Sequence, residues 1–170
     1  ADEAARYVYG AEDSVAAAAR RAGVTPVQLY LDLVDASDGR VIVNWPVMNE
    51  RDSAIAEMIS SPVTIMGLAD AGAHATQIMD ASQPTYFLSH WVRDERLLSI
   101  EEGVRRLTSD TASFVGYRDR GVVAPGAYAD LNVIDLDALA LDLPEIVRDF
   151  PGGAPRFVQR ARGIEHTLVN

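Results

Sequence analysis

Apolar positions along the chain switch repeatedly between helical and strand spacing. Residues 1–12 are mixed in character and predict irregular structure. Asp13 or Ser14 then caps a helix over residues 15–21, which Gly23 closes. Thr25, Pro26 and Gln28 start a second helix, with a capping residue, a proline at the first helical position and a glutamine at the third. Val27, Tyr30, Leu31 and Val34 form its apolar face at i, i+3, i+4 and i+7, and it ends near Asp38 and Gly39. The β-branched run 40–45, stopped by Pro46, predicts a strand. Asn49 caps a third helix over 50–60 that carries Ile55, Met58 and Ile59 inward, and a second short strand follows at 63–67. A strand, a helix and a strand joined at this length form a βαβ unit, so the two strands are expected to be parallel and covered on both faces.

Beyond residue 80 the pattern is helical and then β. The aromatic-rich stretch 83–94 predicts a helix after Pro84. Ser99 and Glu102 form a capping box for a helix striped by Ile100, Val104 and Leu107, and a short helix over 111–115 ends at Gly116. Composition shifts near residue 118. The turn-rich segment 120–130 leads into a strand at 131–135, the Pro- and Gly-bearing stretch 144–155 reads as a surface loop, and the alternation at 164–169 predicts a last strand.

Composition narrows the range of functions. The 170 residues, 48% of them hydrophobic, are enough to bury a core. With 25 acidic against 15 basic residues the formal charge is −10, which argues against nucleic acid or an anionic membrane as partner. The absence of cysteine excludes disulfides and Cys-ligated metal from this sequence and is compatible with a cytoplasmic location. All the basic residues are arginine, so no Schiff base forms on a lysine here. The acidic first residues do not read as a signal peptide, and no apolar run has the length of a membrane-spanning helix.

Candidate chemistry concentrates in residues 64–80. The apolar run 64–66 ends at Gly67 and delivers Asp70 just past the predicted strand, followed by Gly72, His74 and Asp80. A carboxylate at the carboxyl edge of a strand, beside a glycine that lets a ligand approach, is how barrel and α/β enzymes present catalytic groups. The same pattern also fits a turn residue or helix cap. His90, among apolar neighbours, reads as a packed helix histidine, and His166 as a strand residue.

Three segments together carry a resemblance: residues 67–74, the helix 99–108, and 121–135, in which Gly121 and Gly126 precede Ala129, Asp130, Leu131 and an apolar strand. With these, the chain resembles the carboxyl-terminal part of the amidohydrolase superfamily, most closely its D-aminoacylase (N-acyl-D-amino-acid deacylase) branch. The resemblance implies an α/β fold. Residues 1–118 would form the last strands and helices of a (β/α)8 (TIM) barrel, and residues 119–170 would supply strands of a small β-sandwich. It further implies hydrolysis of an amide C–N bond, with Asp70 as metal-contacting general base and acid, and with Gly72 and His74 at the substrate. The implied cofactor is zinc. The partners implied are a small-molecule amide and either a second copy of the chain or the missing half of the barrel.

The sequence departs from that pattern in its ligands. It has no His-x-His pair, no bridging Cys or Lys, and three widely spaced histidines, whereas a catalytic zinc takes three or four ligands. A complete barrel needs about 200–250 residues or more. The chain is therefore expected to be a fragment that is inactive alone. A cyclic amidase of the hydantoinase or dihydroorotase type, and a non-catalytic α/β binding or assembly domain, remain the alternatives.

Overall fold

The structure is a computed structural model that describes Tyr7 and residues 9–170; the remaining residues of the stretch read as irregular lie outside those described. The chain divides into two compact units, one running to Asp52 and the other from Ser53 to Asn170.

The first unit contains α1 (Val15–Ala22) and α2 (Pro26–Ala36), packed together with Ala17 and Ala19 buried. Their ends follow from the sequence. The Ser14 hydroxyl accepts from the Ala17 amide at 3.1 Å, and Gly23 takes the left-handed conformation that ends α1. Thr25 caps α2 by accepting from the Gln28 amide at 3.2 Å. Gln28 turns its own side chain along the helix to Asp32, at 2.7 Å. No residue of α2 is buried, and Val27 and Leu31 are 68% and 55% exposed.

The second unit opens with α3 (Asp52–Ser60), which starts two residues later than its sequence suggests because Asn49 is left-handed (φ 57°). Its Ile55, Ala56 and Ile59 pack on a core of Phe87, Leu88, Trp91, Val92 and Leu139. Most of that core comes from one continuous helical segment, α4 (Gln83–Tyr86) running into a π-helix (Phe87–Asp94). At its end the Glu95 amide donates to the His90 carbonyl, five residues back, at 2.8 Å. α5 (Ile100–Leu107) begins with the predicted capping box, Glu102 amide to Ser99 hydroxyl and Ser99 amide to Glu102 carboxylate, both at 3.2 Å. It lies so close to the π-helix that a Cβ on Gly103 would stand 2.6 Å from Val92. α6 (Ser109–Val115) ends at left-handed Gly116.

Six short strands follow, in three antiparallel pairs. β1 (Leu131–Ile134) pairs with β6 (Ile164–Leu168), β2 (Ala140–Leu141) with β5 (Ala161–Arg162), and β3 (Glu145–Phe150) with β4 (Ala154–Val158). Gly163, with φ 83°, lies against the turn before β2; its carbonyl accepts from Asp135, and a Cβ there would meet the Leu139 backbone at 2.7 Å.

Two expectations fail. Residues 40–45 and 64–67 carry no regular structure and Val63 lies in a turn, so neither run forms a strand, and no parallel ladder exists among the described residues. An extended run becomes a strand only when an edge pairs with it. Among the described residues these runs have none, and most of their apolar side chains face outward, with Trp45 83% and Val63 91% exposed, while Met66 turns to the core. The stretch 144–155, read as a loop, contains the hairpin β3–β4 instead. Pro151, Gly152 and Gly153 form its turn, Pro144 precedes β3 and Pro155 sits within β4, while the flanks pair Ile146 with Phe157 and Val147 with Arg156.

Arg93 joins the helical and β parts of this unit. Its guanidinium donates to the carbonyls of Leu136 at 3.0 Å and Leu139 at 2.5 Å, and to the carboxylate of Asp94 at 2.6 and 3.1 Å. The hydrogen bond from Arg93 holds the Asp94 carboxyl below the usual carboxylate range. Its folded form therefore binds a proton less readily than its unfolded form. The stability this contributes is present above the ordinary carboxylate pKa and is lost as pH falls through the folded value.

Two outcomes are expected. Gly163→Ala combines a backbone clash with a left-handed position and should lower unfolding stability by about 1–3 kcal/mol, read from urea denaturation. An unchanged midpoint would show that the turn tolerates a Cβ. Asp94→Asn should flatten the acid limb of the stability profile, and an unaltered slope below the carboxylate range would contradict the pairing.

Candidate active-site loop

The segment that leads to Asp70 is directed by the end of α3. The Thr64 hydroxyl donates to the Met58 carbonyl and, at 3.1 Å, to that of Ser61. Arg106, from the last turn of α5, donates to the same Ser61 carbonyl at 3.1 Å. A cation and donor at a helix C-terminus answer both its open carbonyls and its dipole. Arg106 is only 9% exposed, and its Nε is buried without a partner. Met66 then packs toward the core, anchoring the run before Gly67.

From Asp70 the chain folds through consecutive turns over residues 71–77. Asp70, Gly72 and His74 are all left-handed, with φ of 49°, 90° and 48°. Asp and His are among the few non-glycine residues enriched in this region. The Ala73 amide donates to the Asp70 carbonyl at 3.0 Å, and the Gln77 and Ile78 amides donate to that of His74 at 2.6 and 3.1 Å. These bonds place Asp70 and His74 at the two corners of one turn system. Both side chains are exposed, and among the described residues neither has a hydrogen-bonding or ionic partner. Around Gly72 no atom lies within 4 Å of where a Cβ would stand.

Other sequence candidates lie elsewhere. Asp80 starts a short 3-10 turn (Asp80–Ser82), where its carbonyl accepts from Gln83; no hydrogen bond joins it to His74 among the described residues. His90 is a packed helix residue, stacked on Tyr86 at 4.8 Å and edge-on to Trp91 at 4.7 Å. His166 sits in β6 opposite Val133. Among the described residues no three His, Asp or Glu converge on a point that could hold a metal ion. Asp70 offers at most one side chain to a site that takes three or four, so these residues alone do not fit a catalytic zinc.

Two arginines, Arg106 and Arg120, support the unit without a strong mark in the sequence. Arg106 reads as a solvated helix residue because Arg105, its neighbour, is indistinguishable in the pattern. Arg120 is held between the rings of Tyr117 and Tyr128, at 5.4 and 4.7 Å, and pairs with Asp130 at 3.1 Å, closing the turn-rich approach to β1. The alternating charges of Arg118, Asp119 and Arg120 were its visible signal.

Comparison with known proteins gives the chain its relatives. Uncharacterized proteins of Mycobacterium tuberculosis and Mycobacterium bovis are each 32% identical over 92% of this chain, which spans 28% of their length. An N-acyl-D-glutamate deacylase of Alcaligenes xylosoxydans xylosoxydans is 37% identical over 51% of this chain and 16% of its own length. No solved structure matches. No helix among the described residues is long and apolar enough to cross a membrane. The model of the amidohydrolase family, whose members generally use divalent metals, matches residues 2–170, and the chain belongs to that family.

Proposed function

We propose that the enzyme to which this sequence contributes hydrolyses the amide C–N bond of an N-acyl amino acid, with Asp70 as the proton-transfer group. The observation that carries this reading is the likeness to N-acyl-D-glutamate deacylase over half of the chain, within a family match that spans nearly all of it. D-Aminoacylase chemistry is the finer assignment. The exposed, unpartnered carboxylate of Asp70 supports it, because both oxygens are free to accept a proton from water. That water adds to the acyl carbon. Asp70 then returns the proton to the amide nitrogen, and the C–N bond breaks to leave a carboxylic acid and an amine. Gly72 leaves room for the substrate, and His74 lies on the same turn system to contact it.

In this reading residues 1–118 complete a (β/α)8 barrel and residues 119–170 belong to an adjoining β-sandwich. The exposed apolar side chains of Ile42, Val43, Trp45, Val63 and Leu68 support it, since barrel neighbours would cover such a set. The metal is taken as zinc, with Asp70 as one ligand and the others outside the described residues.

Asp70→Asn in the full-length enzyme keeps the shape of the side chain and removes the proton acceptor. Turnover of N-acyl-D-glutamate should fall by about 10²–10⁴-fold, measured as amine released; retained turnover would remove Asp70 from the mechanism. The 170-residue chain alone, assayed with added zinc, should release no amine above background, and robust turnover would show that it carries a complete site.

A further inference from the structure

Residues 70–78 make one backbone hydrogen bond to another element among those described: the Phe157 amide of β4 donates to the Ala75 carbonyl at 2.8 Å. Phe157 faces Ile146 in the hairpin register, and its amide points away from β3. The Ala75 carbonyl therefore occupies the outer edge of β4, where an added strand would pair.

Side chains do not fill this seam. A cavity of about 120 Å³ lies along it, lined by Thr76, Ile146, Arg148, Pro155, Arg156 and Phe157. With a void beside it, the backbone bond holds the two elements with little help from packing. The hairpin itself is braced. Arg156 grips both carboxylate oxygens of Asp149 at 2.7 Å and lies over the Phe150 ring at 5.6 Å. On the other side of the seam the loop holds Asp70 and His74 in left-handed conformations, which non-glycine residues populate sparsely.

We propose that the β3–β4 hairpin is the positioning element of the Asp70 loop and that it acts through the Phe157 amide. The proposal rests on Asp70 being the proton-transfer group. It makes Phe157 a positioning residue by its backbone, with its side chain dispensable for this role.

The test uses two variants of the full-length enzyme. Phe157→Pro removes the donor without removing a ladder bond to β3, as a proline on an edge strand allows. Phe157→Ala keeps the donor. The proline variant should speed hydrogen exchange at the Gln77 and Ile78 amides and lower kcat by about 10- to 100-fold, with KM changed by less than about threefold. The alanine variant should leave exchange and kcat near those of the unaltered enzyme. Unchanged exchange in the proline variant, a loosened loop with unchanged kcat, or equal losses in both variants would each overturn the proposal. If the proline variant does not fold, Asp149→Ala frees Arg156 and loosens the hairpin. It should move exchange and kcat in the same direction, and no change in either would count equally against the proposal. Asp70→Asn is measured alongside. If it retains full turnover, the catalytic reading fails, and the exchange data alone decide whether the hairpin holds the loop.

Discussion

The guanidinium of Arg93 is the joint on which the larger unit depends. A backbone carbonyl shielded from water must find a donor within the protein. In the turn 136–139 one nitrogen of the Arg93 guanidinium donates to the carbonyls of Leu136, Asp137 and Leu139, while its other two nitrogens bind Asp94. That arrangement brings Leu139, 1% exposed, beneath Phe87, 2% exposed, and closes the core between the π-helix and the short strands. A lysine would offer a point charge where the site needs separated planar donors.

Order is uneven along the chain. The π-helix, α5 and the capped ends of the helices are locally determined, whereas the irregular runs 40–48 and 62–68 present most of their apolar residues to solvent. Exposed valine, isoleucine and tryptophan in sequence patterns suited to fully covered strands mark surface that burial against further protein would stabilise, at about 25 cal/mol per Å². A span of 28% of the mycobacterial relatives' length is consistent with such a surface.

Local chemistry was legible in the sequence, and long-range partnership was not. Ser14, Thr25 and Ser99 announced helix starts that formed within a residue or two, because a cap needs only its own first turn. The strand β1 was read from its apolar run, although nothing near it indicated that its partner would be β6. Runs 40–45 and 63–67 carried equally strong strand signals and paired with nothing, since a ladder depends on an edge that the signal does not contain. Pro151, Gly152 and Gly153 mark a turn, and a turn signal does not say whether its flanks pair into a hairpin. At the candidate site, Asp70 and His74 were singled out by residue type. The left-handed backbone that groups them, and the distant amide that meets their loop, follow from tertiary contacts that no local pattern records.

The conformation of Asp70 separates two demands usually fused in one residue. Its backbone asks for something that tolerates φ near 50°, which aspartate, asparagine and glycine all do, and which longer or β-branched residues do less readily. Its proposed chemistry asks for a titratable oxygen, which among those three only aspartate supplies. Sequence drift at this position can therefore preserve the turn while discarding the acid. A relative with asparagine or glycine here would look intact in its fold and be silent as a catalyst, so among related sequences this residue would distinguish working hydrolases from descendants that keep only the shape.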